Sequence, residues 1–258
     1  MAELTKRIFT AVIGIILLLY IVNTGGILLS SSILIVSILG ILEVFHALER
    51  LNYKPLYPLG ILSAILIYTS TMTHIINLDF IISLIVISSL VIFLFNEKYN
   101  IQDLAVTILT ILYIPFCLFH VYYLDGSIYI WLVFIIAFGT DTFAYIIGSL
   151  FGKHKLYKKV SPNKSIEGAL GGIIGSILIV IIFAFNYDLS PIIHLVIMTI
   201  IASILSQIGD LVASKIKRLA NLKDYGKLML GHGGIMDRFD SIIFAAPIVY
   251  YFIELFIV

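Results

Sequence analysis

"GHGGIMDRFD", residues 231–240, stands just ahead of the last apolar run of a chain otherwise dominated by hydrocarbon side chains. It packs three glycines, a histidine, an arginine and two aspartates into ten residues. The whole chain has 258 residues, 61% of them hydrophobic and only 12% charged, with a mean hydropathy of +1.12. That balance belongs to a bilayer protein, not to a soluble domain. So dense a polar stretch is therefore a break between membrane spans, and the breaks set the fold.

Working outward, apolar runs occur at 8–22, 26–48, 56–76, 80–95, 101–124, 128–150, 168–187, 191–213 and 239–258. About 20 apolar residues cross roughly 30 Å of hydrocarbon as a helix. The prediction is an all-α polytopic membrane protein of about nine transmembrane helices, one integral membrane domain over residues 1–258. Residues 1–125 read as scaffold with short connections. Residues 126–258 carry two longer connections, 152–167 and 214–238, and read as the catalytic half.

Charge distribution tests that topology. With a cytoplasmic N-terminus, nine spans put every one of the 16 Lys and Arg residues on the cytoplasmic side, from Lys6 and Arg7 to Arg238. The opposite connections, around residues 23–25, 77–79, 125–127 and 186–190, carry none, as the positive-inside rule requires. The site is accordingly expected at the cytoplasmic side of a plasma membrane. A net charge of +1 gives no reason to expect a nucleic-acid partner. Cys117 is the single cysteine, which excludes an internal disulfide. No small-residue cleavage pattern follows the first run, so it reads as a retained span.

Three acids lie within or near spans: Glu43, Asp141 and Asp210. A carboxylate facing lipid at mid-helix costs about 2.5–3.5 kcal/mol, so such groups face protein or a wet cavity. Glu43, accompanied only by His46, reads as a structural contact. Asp141 and Asp210 each lead toward a polar connection and read as functional. In "SQIGDLVASKIKR", residues 206–218, Asp210, Ser214 and Lys217 recur at i, i+4 and i+7 and so line one helix face.

The glycines of the opening stretch let a backbone wrap an anion, and Asp237, Arg238 and Asp240 open the final helix, where an N-terminus favours anions. Asp210 and Asp237 suit either hard-oxygen ligation of Mg²⁺ or acid–base work, and phosphate chemistry favours the metal. In "GKHKLYKKVSPNKSIEG", residues 152–168, the lysines suit anionic headgroups. Ser161, Lys164 and Ser165 are candidates to grip a phosphate. Gly168, Gly171, Gly172 and Gly175 permit close helix packing.

These residues resemble the phosphatidate cytidylyltransferases, or CDP-diacylglycerol synthases. The strongest likeness is "SKIKRLANLKDYGKLMLGHGGIMDRFDS", where Ser214, Lys217, Arg218, Lys223, Asp224, His232, Gly233, Gly234, Asp237, Arg238 and Asp240 match the family spacing. "DTFAY" at Asp141 and "SPNKSIEG" at Ser161 agree in order, with Phe143 for a glycine, Asn163 for a lysine, Ser165 for a threonine and Ile166 for a tryptophan. Met229 and Leu230 stand where an aliphatic–proline pair is usual.

The resemblance implies transfer of cytidylyl from CTP to phosphatidate, with a divalent cation such as Mg²⁺ on Asp210 and Asp237, and a homodimer in the bilayer. Asp210, Asp237, Lys217, Arg218, His232 and Arg238 would be catalytic. Ser161, Lys164, Ser165, Ser214, Lys223, Asp224, Gly233, Gly234, Asp240 and Asp141 would bind substrate. Two rivals are a CTP-dependent lipid-alcohol kinase, which would release CDP, and a transporter, whose site would lie near the midplane between repeats that this chain lacks.

Overall fold

The computed structural model describes residues 2–73, 75–226 and 233–257, with side chains from residue 12 onward. Among them are α1 (Ala2–Thr24), α2 (Gly26–Glu49), α3 (Tyr57–Thr73), α4 (Leu78–Phe95), α5 (Ile101–Ile111), α6 (Ile130–Phe151), α7 (Ile166–Asn186), α8 (Ile192–Leu219) and α9 (Met236–Phe256). Each predicted apolar run overlaps one of these helices, and the run 101–124 extends past α5 through Leu112–Phe116 and Phe119–Leu124. Among the described residues, seven stretches are long and apolar enough to cross a membrane: α2, α4, Ile101–Leu124, α6, α7, α8 and α9. α3 has 17 residues, and the described apolar part of α1, Val12–Thr24, is also short of that length.

The chain is not wholly helical. Residues 152–167, expected as a loop, contain an antiparallel hairpin of β1 (Lys155–Tyr157) and β2 (Ser161–Ser165), pairing Lys155 with Ser165 and Tyr157 with Ser161. Asp141 lies within α6, which ends at Phe151, close to the end of the apolar run 128–150.

Two compact units are present. The first joins Met1–Asp125 to Leu219–Arg238. Its core includes Ile41 and Phe45 of α2, Ile67 of α3, Ile81 of α4, and Leu104 and Ile111 of α5, all nearly inaccessible. α3 packs tightly on α2 because Gly60 has no Cβ; one added there would stand 2.8 Å from the Phe45 ring. Asn100 and Asp103 cap α5 reciprocally, at 2.8 and 2.9 Å, and Asp103 also accepts the Lys54 N–H at 2.6 Å. The helical ladder after α5 opens into a π-helical turn, Leu112–Phe116, around Pro115, which has no N–H to give.

The second unit joins Gly126–Arg218 to Phe239–Val258. α6 and α7 approach at backbone distance: a Cβ on Gly168 would meet the Ala144 carbonyl at 2.7 Å, and one on Gly172 the Thr140 carbonyl at 2.7 Å. Gly175 leaves room for the Phe143 ring, the residue that departs from the family pattern. Thr140 and Ser203 bond at 2.8 Å, so a polar pair joins α6 to α8 inside the unit. The far side of α7 presents Ile174, Leu178, Ile182 and Phe185, each more than half exposed. Recurring every three or four residues, they form the stripe that hydrocarbon solvates.

Candidate functional site

In the second unit, three helices contribute one acid each: Asp141 from α6, Asp210 from α8 and Asp240 from α9. Asp240 is buried and lies within electrostatic reach of Asp210, Asp141 and Lys217. The Ser241 hydroxyl donates to Oδ2 of Asp141 at 3.0 Å, across 100 residues of sequence. Ser214 Oγ donates to Oδ1 of Asp210 at 3.2 Å, the one-turn contact that the i, i+4 spacing predicts. Oδ2 of Asp210 is ion-paired to Nζ of Lys164, which arrives from β2. Among the described residues, no three His, Cys, Asp or Glu side chains converge as a ready metal cage. The donors are nevertheless all oxygen, the type a hard divalent cation takes when water and substrate phosphate complete its shell.

The hairpin that delivers Lys164 is held at both ends. Ser165 closes β2 and caps α7, its Oγ accepting the Gly168 N–H at 3.1 Å. Glu167, one residue into α7, accepts the backbone N–H groups of Lys153 at 3.1 Å and His154 at 3.2 Å, and pairs with Nδ1 of His154 at 2.6 Å. Arg218 donates from Nε to the Val160 carbonyl at 3.4 Å, tying the end of α8 to the hairpin turn. Ser161 sits half-buried at the start of β2.

In the first unit, Asp237 opens α9, and its Oδ2 accepts the N–H groups of Tyr225 and Gly234, each at 2.9 Å. Glu43 reaches the same turn from α2 and accepts Ile235 N–H at 3.0 Å and Met236 N–H at 2.9 Å. The N–H of Gly234, one of the amides expected to receive an anion, is thus given to a protein carboxylate. Gly233 has φ +85° with Asp237 beside it, and a Cβ on Gly234 would stand 2.6 Å from Cδ of Glu43. Those two glycines make room for carboxylates in this structure. Lys223, Asp224 and Arg238 are exposed. His232, Lys227, Met229 and Leu230 lie outside the described residues.

Asp210 and Asp237 therefore belong to different units, each with its own partners. Sequence singled out every acid of the second-unit cluster and paired Asp210 with Ser214 by spacing, but it gave no sign that Ser241 would bond Asp141 or that Lys164 would pair with Asp210. It missed Glu167 as a clamp; Glu43 is the structural contact expected, though its partners at Ile235 and Met236 were not foreseen. The only local signal for Glu43 is an acid inside an apolar run, because its partners lie 192 and 193 residues away.

The sequence matches the Cytidylyltransferase family over residues 5–256. The chain belongs to that family. Among its relatives, phosphatidate cytidylyltransferase of Staphylococcus epidermidis is 37% identical over 254 residues, covering 94% of this chain and 96% of the relative. That of Staphylococcus haemolyticus is 36% identical over 253 residues, with the same coverage. The Bacillus subtilis protein of that name is 30% identical over 273 residues, covering 99% of this chain and 100% of its own length. Around Asp210 the polar groups are the Ser214 hydroxyl, the Lys164 ammonium and the Asp240 carboxylate, types that position phosphates and a cation.

Proposed function

We propose that this chain is a membrane nucleotidyltransferase that moves the cytidylyl group of CTP onto phosphatidate, forming CDP-diacylglycerol and releasing pyrophosphate for phospholipid synthesis. The observation that carries this is similarity along nearly the whole chain to proteins named phosphatidate cytidylyltransferase. A phosphatidate oxygen attacks the α-phosphorus of CTP, a new P–O bond forms, and the bond to the β-phosphate oxygen breaks. The nucleophile is already ionised near neutral pH, so no strong general base is required. Catalysis is then mostly positioning and charge neutralisation.

Asp210 and Asp237 are the proposed carboxylates for Mg²⁺ or another divalent cation, with Asp141 and Asp240 proposed to bind substrate. The cation would neutralise charge on the triphosphate and align it. Lys164, Lys217, Arg218, Lys223 and Arg238 bind phosphate oxygens. Ser161, Ser165, Ser214, Asp224, Gly233 and Gly234 orient the substrates, and His232 serves in positioning or in contact with the leaving group. What supports this assignment is residue type and motif position, together with the oxygen donors around Asp210.

The same reading has nine spans, a cytoplasmic N-terminus, a site facing the cytoplasm of a bacterial inner membrane, and a homodimer. The one-sided distribution of all 16 basic residues supports the topology. The family resemblance supports the dimer. Purified protein in detergent is expected to convert CTP and phosphatidate to CDP-diacylglycerol and pyrophosphate only when a divalent cation is present. Release of CDP with a phosphorylated alcohol would replace this reading with the lipid-alcohol kinase.

A further inference from the structure

The carboxylate proposed to hold the cation is already engaged by a lysine. Nζ of Lys164 pairs with Oδ2 of Asp210, while Oδ1 accepts the Ser214 hydroxyl. Both charged side chains are about three-quarters buried, with exposures of 25% for Lys164 and 26% for Asp210. A hydroxyl can turn away and let a cation share its oxygen. An ammonium cannot, because it is itself a cation on that oxygen, and two positive charges a few ångströms apart repel strongly where water is scarce.

The hairpin backbone is fixed on either side of Lys164, by the Ser165 cap and by the grip of Glu167 on Lys153 and His154. Any release must therefore come from the lysine stem, which is long, flexible and carries three donors. Once released, the ammonium needs another anion. Asp240 lies within electrostatic reach of Asp210, but a bound triphosphate offers more negative charge and arrives with its own cation.

We propose that Lys164 occupies the cation's place on Asp210 until nucleotide arrives, so that the divalent cation and CTP bind cooperatively and the cation alone binds weakly. This rests on the assignment of Asp210 as a cation ligand. Before nucleotide binds, Lys164 is a charge placeholder. Afterwards it contacts the triphosphate, so one side chain does both jobs in sequence.

The test uses the full chain in detergent, with Mn²⁺ as probe and free Mn²⁺ read by electron paramagnetic resonance. Without CTP, Lys164→Gln should bind Mn²⁺ about tenfold more tightly than the unaltered chain, because the competing conformer is gone. Lys158→Gln, which removes an exposed hairpin lysine, should leave the affinity unchanged and so exclude a bulk-charge effect. Lys164→Arg, which keeps a cation on Asp210, should keep it weak. CTP should tighten Mn²⁺ on the unaltered chain and much less on Lys164→Gln. Equal or weaker Mn²⁺ binding by Lys164→Gln, with binding still lost in Asp210→Asn, overturns the placeholder and leaves the ligand assignment standing. Unchanged Mn²⁺ binding by Asp210→Asn overturns both.

Discussion

Oε2 of Glu43 accepts the backbone N–H of Met236 at 2.9 Å, so a carboxylate from the second helix caps the ninth across 193 residues. Its other oxygen holds Ile235. Removing the side chain leaves two N–H groups of a buried turn unpaired. Glu43→Ala is expected to destabilise the chain by about 2–5 kcal/mol, read as a lowered unfolding midpoint in detergent. Glu43→Gln, which keeps one acceptor oxygen, should recover part of that loss. An unchanged midpoint in Glu43→Ala would mean that the cap carries no weight.

Phe143 fills the space that Gly175 leaves open on α7. Gly175→Ala forces a methyl into that ring and should cost about 1–3 kcal/mol. Phe143→Gly, which restores the usual family residue, should remove most of the penalty when combined with it. Additive midpoint shifts in the double variant would show that the two positions are not coupled.

Glu167 acts on the reaction only through the hairpin it holds. Glu167→Ala should raise the KM for CTP by about tenfold, by letting Lys164 wander, while kcat falls less. Glu167→Gln retains an acceptor for the Lys153 and His154 amides and should lie between. Steady-state kinetics at saturating phosphatidate separate the two parameters, and an equal loss in both would point instead to misfolding.

Asp210→Asn and Asp237→Asn should each lower turnover by at least about a hundredfold at saturating CTP. Raised Mg²⁺ should restore part of the activity if a weakened cation site is the cause. Normal turnover by either variant removes that residue from the metal assignment.

The helices were legible because hydrocarbon forces regularity: a span must satisfy its own backbone, so long apolar runs have little choice but to be helical. Ends were less legible. α8 continues to Leu219, beyond the apolar run ending at 213, and α9 begins at Met236, before the run starting at 239. In both cases polar residues extend a helix that hydropathy alone would stop. The hairpin was illegible because its strands are only three and five residues long, contain Pro162, and lack apolar alternation. Glu167 and Ser165, neighbours in sequence but clamps in space, hold it together.

The site divides in the same way. Asp210 and Ser214 could be paired from spacing alone, since one helical turn brings them together. Ser241 and Asp141 could not, because 100 residues separate them and nothing local in either segment anticipates the other. Motif spacing nominated side chains for chemistry. Only the fold told that the amides of Gly234, Ile235 and Met236 go to Asp237 and Glu43.

α8 has 28 residues, about 42 Å of unbroken helix, some 12 Å more than hydrocarbon alone requires. Asp210, Ser214 and Lys217 are consequently graduations on a rigid rule, and their spacing cannot be adjusted by rearranging a loop. One residue inserted between Asp210 and Ser214 would swing everything beyond it by about 100° and carry Lys217 off the shared face. This segment can change its letters in the course of evolution, but not its length.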